Sequence, residues 1–453
     1  MASYNRSSMR RGFVAGMCLA SLTGTAHADD LWKALTGGKP DVYLRYRFEH
    51  VDDDALSGSD TAPTGVADAY ASTLRTALGY NTGLFHDFGA YVQLEDVRVI
   101  GNDAYNDGGA NGVTHRAVVV DPEGAEVNQA NLRYRGLSKT TIWAGRQEIE
   151  QRGAPLHRYV GNILWRQNWQ SFDAVRVVSD YLPATKIDYT YAWNTNRIFG
   201  EDNEIPDRAN YRMNSHFIKI NWNGFQYGQF EPYAYLLDFE TYLGGTGVLS
   251  TATFGVRFQG AYDLITQAAK ILYVGEFANQ ADYADNPFDV DNNYYLAELG
   301  FNKMLTSPMI PAFTVKISYE VLEGEGPAVP GVPNAFQTPL GTNHAFQGWA
   351  DRFLVTPGDG IVDIYGTLAA TIYGANLTLM YHDLSSDNDD YDYGTELDVV
   401  LSKTFKDHYT VGLKYADYDA DQNATNLARN GLLSGGKQAY DLAKFWAWVE
   451  IKF

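Results

Sequence analysis

The residues best equipped for chemistry are charged side chains set at every second position among apolar ones. Arg45, Arg47, Arg75, Arg133, Arg135, Arg146, Lys219, Arg257, Lys316 and Lys414 follow this pattern. Glu49, Glu95, Asp188, Glu298, Glu320, Glu396 and Asp398 share the same faces. A period of two sends alternate side chains to opposite sides of a strand. A side bearing Arg and Glu opposite one bearing Leu, Val and Phe must border water. Guanidinium groups there offer paired hydrogen bonds to carboxylates, so the chemistry is selection of solutes by field and hydrogen bonding. The plain alternative is that these charges pair with one another and only keep the wall hydrated. The Arg residues of the first, second, fourth and fifth strands are sequence neighbours and should share one wall.

The stretch Glu148 to Trp169 is rich in Arg, Trp and Tyr and has no convincing strand pattern. It carries Arg152, His157, Arg158, Trp165, Arg166 and Trp169. Such residues are poorly used on an outer surface, so the loop is expected to fold inward as a constriction; packing above its neighbours is the alternative. Acidic loops at Asp52–Asp54, around Asp282–Asp291 and around Asp387–Asp392 read as solvated surface. Asp387 and Asp389 begin a calcium-loop spacing that the following residues do not complete. No metal site and no cofactor is expected. Catalytic signatures such as HExxH, a phosphate-binding loop, GxSxG or CxxC are absent. His216 and His382 lie on predicted strands, and neither has an evident partner.

These side chains need strands to hold them. The last nine residues, FWAWVEIKF, place Phe445, Ala447, Val449, Ile451 and Phe453 on one side. A strand that ends the chain on Phe resembles the insertion signal of outer-membrane barrels, so the barrel-assembly machinery is an expected partner. Upstream, the same alternation recurs in eighteen predicted segments of roughly ten residues each, joined alternately by short turns and long loops. Alternation is weakest in the eleventh and twelfth, so sixteen strands also fit. The fold class is therefore all-β, a transmembrane antiparallel barrel. Short turns would face the periplasm and long loops the outside. At this strand number the interior is too wide for side chains to fill, and a water-filled channel is expected.

Residues 1–28 read as a secretory signal peptide, with Arg6, Arg10 and Arg11 before a short apolar run and Ala26-His27-Ala28 before the cut. Residues 29–453 then form a single barrel domain of 425 residues. The lone cysteine, Cys18, lies in the signal, so no disulfide remains. No apolar stretch outside the signal is long enough for a helical span. Tyr, Trp and Phe make up 14% of a chain whose mean hydropathy is negative, which fits interfacial aromatic girdles around a wet interior. The net charge is −20, or −23 without the three signal arginines, and argues against nucleic acid as a partner. Membrane lipid and lipopolysaccharide are the expected surroundings.

Three stretches resemble the alginate export family of outer-membrane barrels. They are Gly145-Arg146-Gln147-Glu148-Ile149, then Trp165 through Phe172-Asp173-Ala174-Val175-Arg176-Val177, then the run Ala335 to Tyr365. The resemblance covers most of the mature chain. It implies an eighteen-stranded monomeric barrel with an Arg-rich pore for an acidic polysaccharide or related solute. On that basis Arg45, Arg47, Arg133, Arg135 and Arg146 are the pore candidates, with Arg75, Arg166, Arg257, Glu49, Glu95 and Glu148 as further lining. The family's exporter type has a long periplasmic turn near the C-terminus; here that turn is only Phe405–His408, which favours a porin-like member. The expected function is passive diffusion of anionic or acidic-sugar solutes. Polysaccharide export, a barrel-anchored receptor using the Leu322–Gly360 loop, and a barrel hydrolase are the competing readings.

Overall fold

The computed structural model describes residues 25–54, 67–153, 157–203, 205–242, 245–265, 268–326, 334–388, 391–421 and 439–453. A helix, α1 (Thr25–Thr36), precedes the strands. The first nine strands are β1 (Lys39–Asp53), β2 (Ala69–Asn81), β3 (Phe88–Ala104), β4 (Gly124–Leu137), β5 (Thr140–Gln147), β6 (Ser171–Ser179), β7 (Thr185–Asn196), β8 (Asn210–Phe225) and β9 (Gly228–Leu237). The others are β10 (Thr251–Ile265), β11 (Ala269–Asp282), β12 (Asp291–Met304), β13 (Ala312–Leu322), β14 (Ile361–Ile372), β15 (Ala375–Ser385), β16 (Asp392–Phe405), β17 (Tyr409–Ala420) and β18 (Leu442–Lys452). Each pairs antiparallel with its sequence neighbours, and β1 pairs with β18 from Tyr43↔Lys452 to Asp53↔Leu442. Closure leaves the eighteen-stranded sheet without a free edge, the condition for crossing lipid with strands.

The alternation read from the sequence is the alternation of the wall. On β1, Arg45, Arg47 and Glu49 are at most 3% exposed, while Tyr46 between them is 38% exposed. On β18, Trp446 is fully buried while Phe445 and Val449 face out, as does Phe453 just beyond its end. Sixteen strands is excluded: β11 and β12 pair without interruption from Ala269↔Lys303 to Ala281↔Asp291. Their weak pattern has a local cause, since β12 turns Leu299 to the lipid and the small Gly300 inward.

Asn223-Gly224, a turn signal by sequence, instead lies inside β8, and the chain reverses at 226–227. The pairing shifts between Trp222 and Phe225, and the extra length lets Phe225 join Tyr227, Phe230 and Phe258 in a rim cluster of rings 5.4–6.0 Å apart. The β16–β17 connection is indeed short, with Lys406 and Asp407 at positive φ. Residues 1–24, most of the expected signal segment, lie outside the described residues, and α1 runs across the expected cut before Asp29.

The lumen is not left to water. Ile149, Tyr159, Val160, Phe336, Leu340, Trp349 and Phe353, all from long loops, pack against inward Phe172, Phe217, Tyr294, Tyr393 and Trp446 in one buried cluster. The width argument holds for side chains alone. It fails for a chain that folds whole loops into the barrel.

Candidate solute vestibule beneath an inward-folded loop

The β5–β6 loop crosses the lumen because strand arginines satisfy its backbone. A buried carbonyl needs a donor, and helices and sheets supply none to a loop. Arg45 Nε donates to Gln167 Oε1 at 2.9 Å, and its Nη1 donates to the Leu164 carbonyl at 2.8 Å. Arg47 donates to the Trp165 carbonyl and to Asp121, and lies 3.3 Å from Glu49. Arg75 donates to the Gln167 carbonyl at 2.7 Å, pairs with Glu95 at 2.7 Å and stacks on the Trp169 ring at 3.6 Å. Arg166 reaches back to Glu49 at 3.2 Å. Asp121, from the β3–β4 loop, is held below the usual carboxylate range: burial opposes its charge, but Arg47, Arg166 and the Gln167 N–H outweigh burial.

The far side is pinned as firmly. Arg152 reaches Glu231 on β9 at 2.5 Å and Glu276 on β11 at 2.8 Å. Arg158 pairs with Glu320 on β13, which also accepts from Tyr294 at 2.6 Å and Gln347 at 2.8 Å. The β13–β14 loop interlocks from the opposite wall. Trp349 N–H donates to Asp398 at 3.1 Å and Ala350 N–H to Glu396 at 2.6 Å. Gly348, at φ +84°, allows this approach: a Cβ there would strike the Glu396 carboxylate. Together the loops form a diaphragm tied to β1, β2, β9, β11, β13 and β16.

The loops meet at His344, which lies flat on Trp165 with ring centroids 4.7 Å apart and planes 7° apart. Its Nδ1 is 2.6 Å from Asp351 and its Nε2 is 2.6 Å from Lys414 Nζ. Burial keeps the ring neutral, and the Asp351 carboxylate can only accept, so Nδ1–H donates to Asp351 and Nε2 accepts from Lys414. Burial, and then the neighbouring Lys414 and Arg166 against the pull of Asp351, hold His344 well below the usual histidine range. Burial would raise Asp351, but His344, Lys444 at 2.8 Å and Arg166 hold it well below the usual carboxylate range. A histidine whose folded value is depressed seats best above the ordinary histidine range and loses that advantage as pH falls below it. Asp351 keeps its charge throughout that window. We therefore expect channel current noise to rise as pH is lowered from about 8 to about 5, and to rise less in His344→Gln. Identical profiles in the two proteins would remove His344 from the seat.

Below the diaphragm, on the short-turn side, a cavity of about 390 Å³ is lined by Asp41, Asn81, Tyr91, Gln129, Asn131, Arg133, Trp143, Gln147, Glu148 and Arg176. Sheet register builds its wall. Arg133 lies opposite Trp143, and Trp143 opposite Arg176, on three consecutive strands. Gly89 is opposite Arg133 on the other side, and a Cβ there would sit 3.2 Å from its Nη2. Arg176 is neutralised by Asp188 through contacts of 2.9 and 2.5 Å. Arg133 donates to Asn81 at 2.7 Å, its Nε has no partner, and no carboxylate pairs with it among the described residues. Tyr91 and Trp143 supply flat apolar surface. Glu148, at the roof, accepts from Asn128 and Asn162 at 2.7 Å each, and burial pushes its carboxyl up against those bonds.

The expected site residues thus divide. Arg45, Arg47, Arg75, Arg166, Glu49 and Glu95 meet at the diaphragm, where their charges are spent on loop carbonyls and each other. Arg133 and Glu148 line the vestibule, and Arg135 is exposed at the rim below Arg133. Arg146 stands on the long-loop side, bound to Asp173 at 2.9 Å and to Glu201. Arg257 is on the far wall, 2.7 Å from Glu276. Sequence reasoning passed over Asp41, Tyr91, Trp143 and Arg176; on β5 it chose Arg146, but Trp143 and Gln147, of the opposite parity, line the cavity, so Arg146 does not share the wall of Arg133. His216 bonds Tyr189 at 2.9 Å and His382 bonds Asp363 at 3.0 Å, both within the wall. Asp389 and Asp390 lie outside the described residues.

Comparison with known proteins follows the same lines. The outer membrane protein OpdK of Pseudomonas aeruginosa, also solved with vanillate, superposes with a TM-score of 0.63 at 11% identity, covering 92% of this chain and 99% of that one. OccAB2 of Acinetobacter baumannii gives a TM-score of 0.65 at 12% identity, covering 93% and 99%. At such identities the likeness is one of fold. A curated sequence from Cytophaga hutchinsonii, part of an NADH-quinone oxidoreductase, is 33% identical over 67 residues; this chain spans only 17% of its length, and the segment carries no argument. The alginate export family model matches residues 41–353, which include β1 to β13, the diaphragm's first loop and most of its second, so the chain belongs to the alginate export family.

Proposed function

We propose that this barrel is a passive channel preferring small anionic solutes that carry a ring, acidic sugars foremost. The observation that carries this reading is the Arg133–Trp143–Arg176 row, in which Arg133 has no carboxylate partner among the described residues and an indole lies beside it. A fork of donors next to a flat apolar face suits a carboxylate on a ring. Solute would reach the vestibule directly from the short-turn side and, from the long-loop side, only past the diaphragm. Export of an acidic polysaccharide is the second reading, favoured by the family match. It requires the diaphragm to move aside, and the short β16–β17 turn offers no periplasmic lid. In this reading residues 1–28 are removed on export, lipopolysaccharide surrounds the long loops, and the barrel-assembly machinery takes hold of β18 through Phe453.

The test is planar-bilayer recording of the refolded protein in a salt gradient with added uronate oligomers. A steady current, a reversal potential of anion sign and block by the oligomers are expected. A silent membrane would overturn passive transport and leave a closed exporter or an anchored receptor. A steady current of cation sign would overturn the solute class alone.

A further inference from the structure

Helix α1 stands outside the closed eighteen-stranded sheet. Ala34 is its buried residue, and the Ala34 carbonyl accepts the Gly83 N–H at 2.8 Å. Tyr80 donates to the Leu35 carbonyl at 2.6 Å and accepts the Gly38 N–H at 3.1 Å. Tyr80 belongs to the outward row of β2, two residues from Leu78, which is 52% exposed. On the next two strands Phe88 and Tyr134 continue that rim, with ring centroids 4.6 Å apart. The helix is therefore tied to the lipid side of the short-turn rim rather than to the pore mouth.

Its free side carries Leu31, Trp32 and Leu35, exposed by 42, 66 and 44%. Positions i, i+1 and i+4 fall on one arc of a helix. The charged pair Asp30 and Lys33, 3.6 Å apart, lies off that arc. We infer that this arc rests in the headgroup–acyl boundary of the periplasmic leaflet, so that α1 is an interfacial foot of the barrel. Short turns of such barrels face the periplasm. An amphipathic helix with Trp and Leu on one side settles in that boundary, where Trp and Tyr concentrate. The arc is continuous with the lipid-facing row of Leu78, Phe88 and Tyr134, which is why lipid rather than a protein is its occupant.

The experiment places a small fluorophore on single cysteines in the mature chain, residues 29–453, which holds no other cysteine, refolded into bilayers. Leu35→Cys reports the arc, Val449→Cys the lipid belt and Asp30→Cys the polar side. Heat-modified gel mobility checks folding, and Leu31→Cys replaces Leu35→Cys where that fails. The expected result is that the Leu35 label is quenched by a lipid nitroxide near the headgroups and shielded from aqueous iodide at least several-fold relative to the Asp30 label. Iodide quenching equal to that at Asp30 would overturn the inference. Shielding from both quenchers would overturn it too, since a protein surface would then cover the arc. The inference is independent of the solute reading: Leu31→Ser, Trp32→Ser and Leu35→Ser together should leave channel current unchanged.

Discussion

Arg47→Leu should release the diaphragm while leaving the barrel intact. Arg47 is 1% exposed and binds three things at once: Asp121 from one loop, the Trp165 carbonyl from another, and Glu49 on its own strand. Leucine fills part of the space and meets none of them. Two buried carboxylates lose a cation, a change that costs about 3–5 kcal/mol for a broken buried pair. That cost falls on the seated state alone, because a released loop takes its polar groups to water. At about 1.4 kcal/mol per tenfold, the released population should rise by roughly two orders of magnitude or more. Protease cleavage within residues 148–170 should accelerate by a similar factor where opening is fast, and single-channel current should become larger and noisier. Heat-modified mobility of the barrel should persist, since the strand ladder is untouched. Adding Asp121→Asn removes one stranded charge and should recover part of the seat. Unchanged cleavage in Arg47→Leu would mean the loop is held by its apolar packing instead.

The wall of this protein is legible in its sequence because it obeys one rule throughout. A residue facing lipid and its neighbour facing the lumen differ so strongly in solvation that parity alone assigns Arg45 and Tyr46, or Trp446 and Phe445, to their sides. What the rule cannot supply is what lies opposite an inward residue across the lumen. Arg75 and Arg133 have the same parity and type, yet Arg75 is fully buried under Gln167 and Trp169 while Arg133 faces an open cavity. The difference depends on where a loop of more than twenty residues comes to rest. Its Arg and Trp content signals inward folding, but its partners are fixed by three-dimensional register alone. Trp143 shows the same limit, since it becomes a solute-facing ring only through its register with Arg133 and Arg176.

Backbone conformation marks the same division. Ile163 at φ 51°, Gln347 at φ 50° and Asp351 at φ 67° occupy a region that non-glycine residues avoid, and a β-branched residue most of all. All three lie where the two inward loops interlock. Such conformations persist when surrounding contacts over-determine them. Here those contacts are Arg158 on Gln347, Lys444 on Asp351 and Thr342 on the Ile163 N–H. The diaphragm is thus a strained insert clamped by charge, between strands that among the described residues hold no non-glycine residue at positive φ.

Arg133→Gln with Arg135→Gln tests the vestibule, and its effect should be the largest on selectivity. These guanidinia have no carboxylate partner among the described residues, so their loss should not collapse a salt-bridge network. Removing two positive charges from a mouth that keeps Asp41 and Glu148 should move the reversal potential toward cations. Block by uronate oligomers should weaken by about tenfold or more, because a hydrogen bond to a charged group is worth about 1.5–3 kcal/mol. Arg133→Lys separates charge from shape. Lysine keeps the field but loses the planar fork, so reversal potential should hold while oligomer block weakens. Arg75→Gln supplies the contrast: its charge is balanced by Glu95 and sealed under Trp169, so it should loosen the loop and change current noise before it changes ion preference. A double Gln variant whose reversal potential and block both match the parent would place the selective passage elsewhere in the barrel. Equal shifts from Arg75→Gln and from the rim pair would instead mean that ion preference reflects the summed charge of the wall rather than the Arg133–Trp143–Arg176 row.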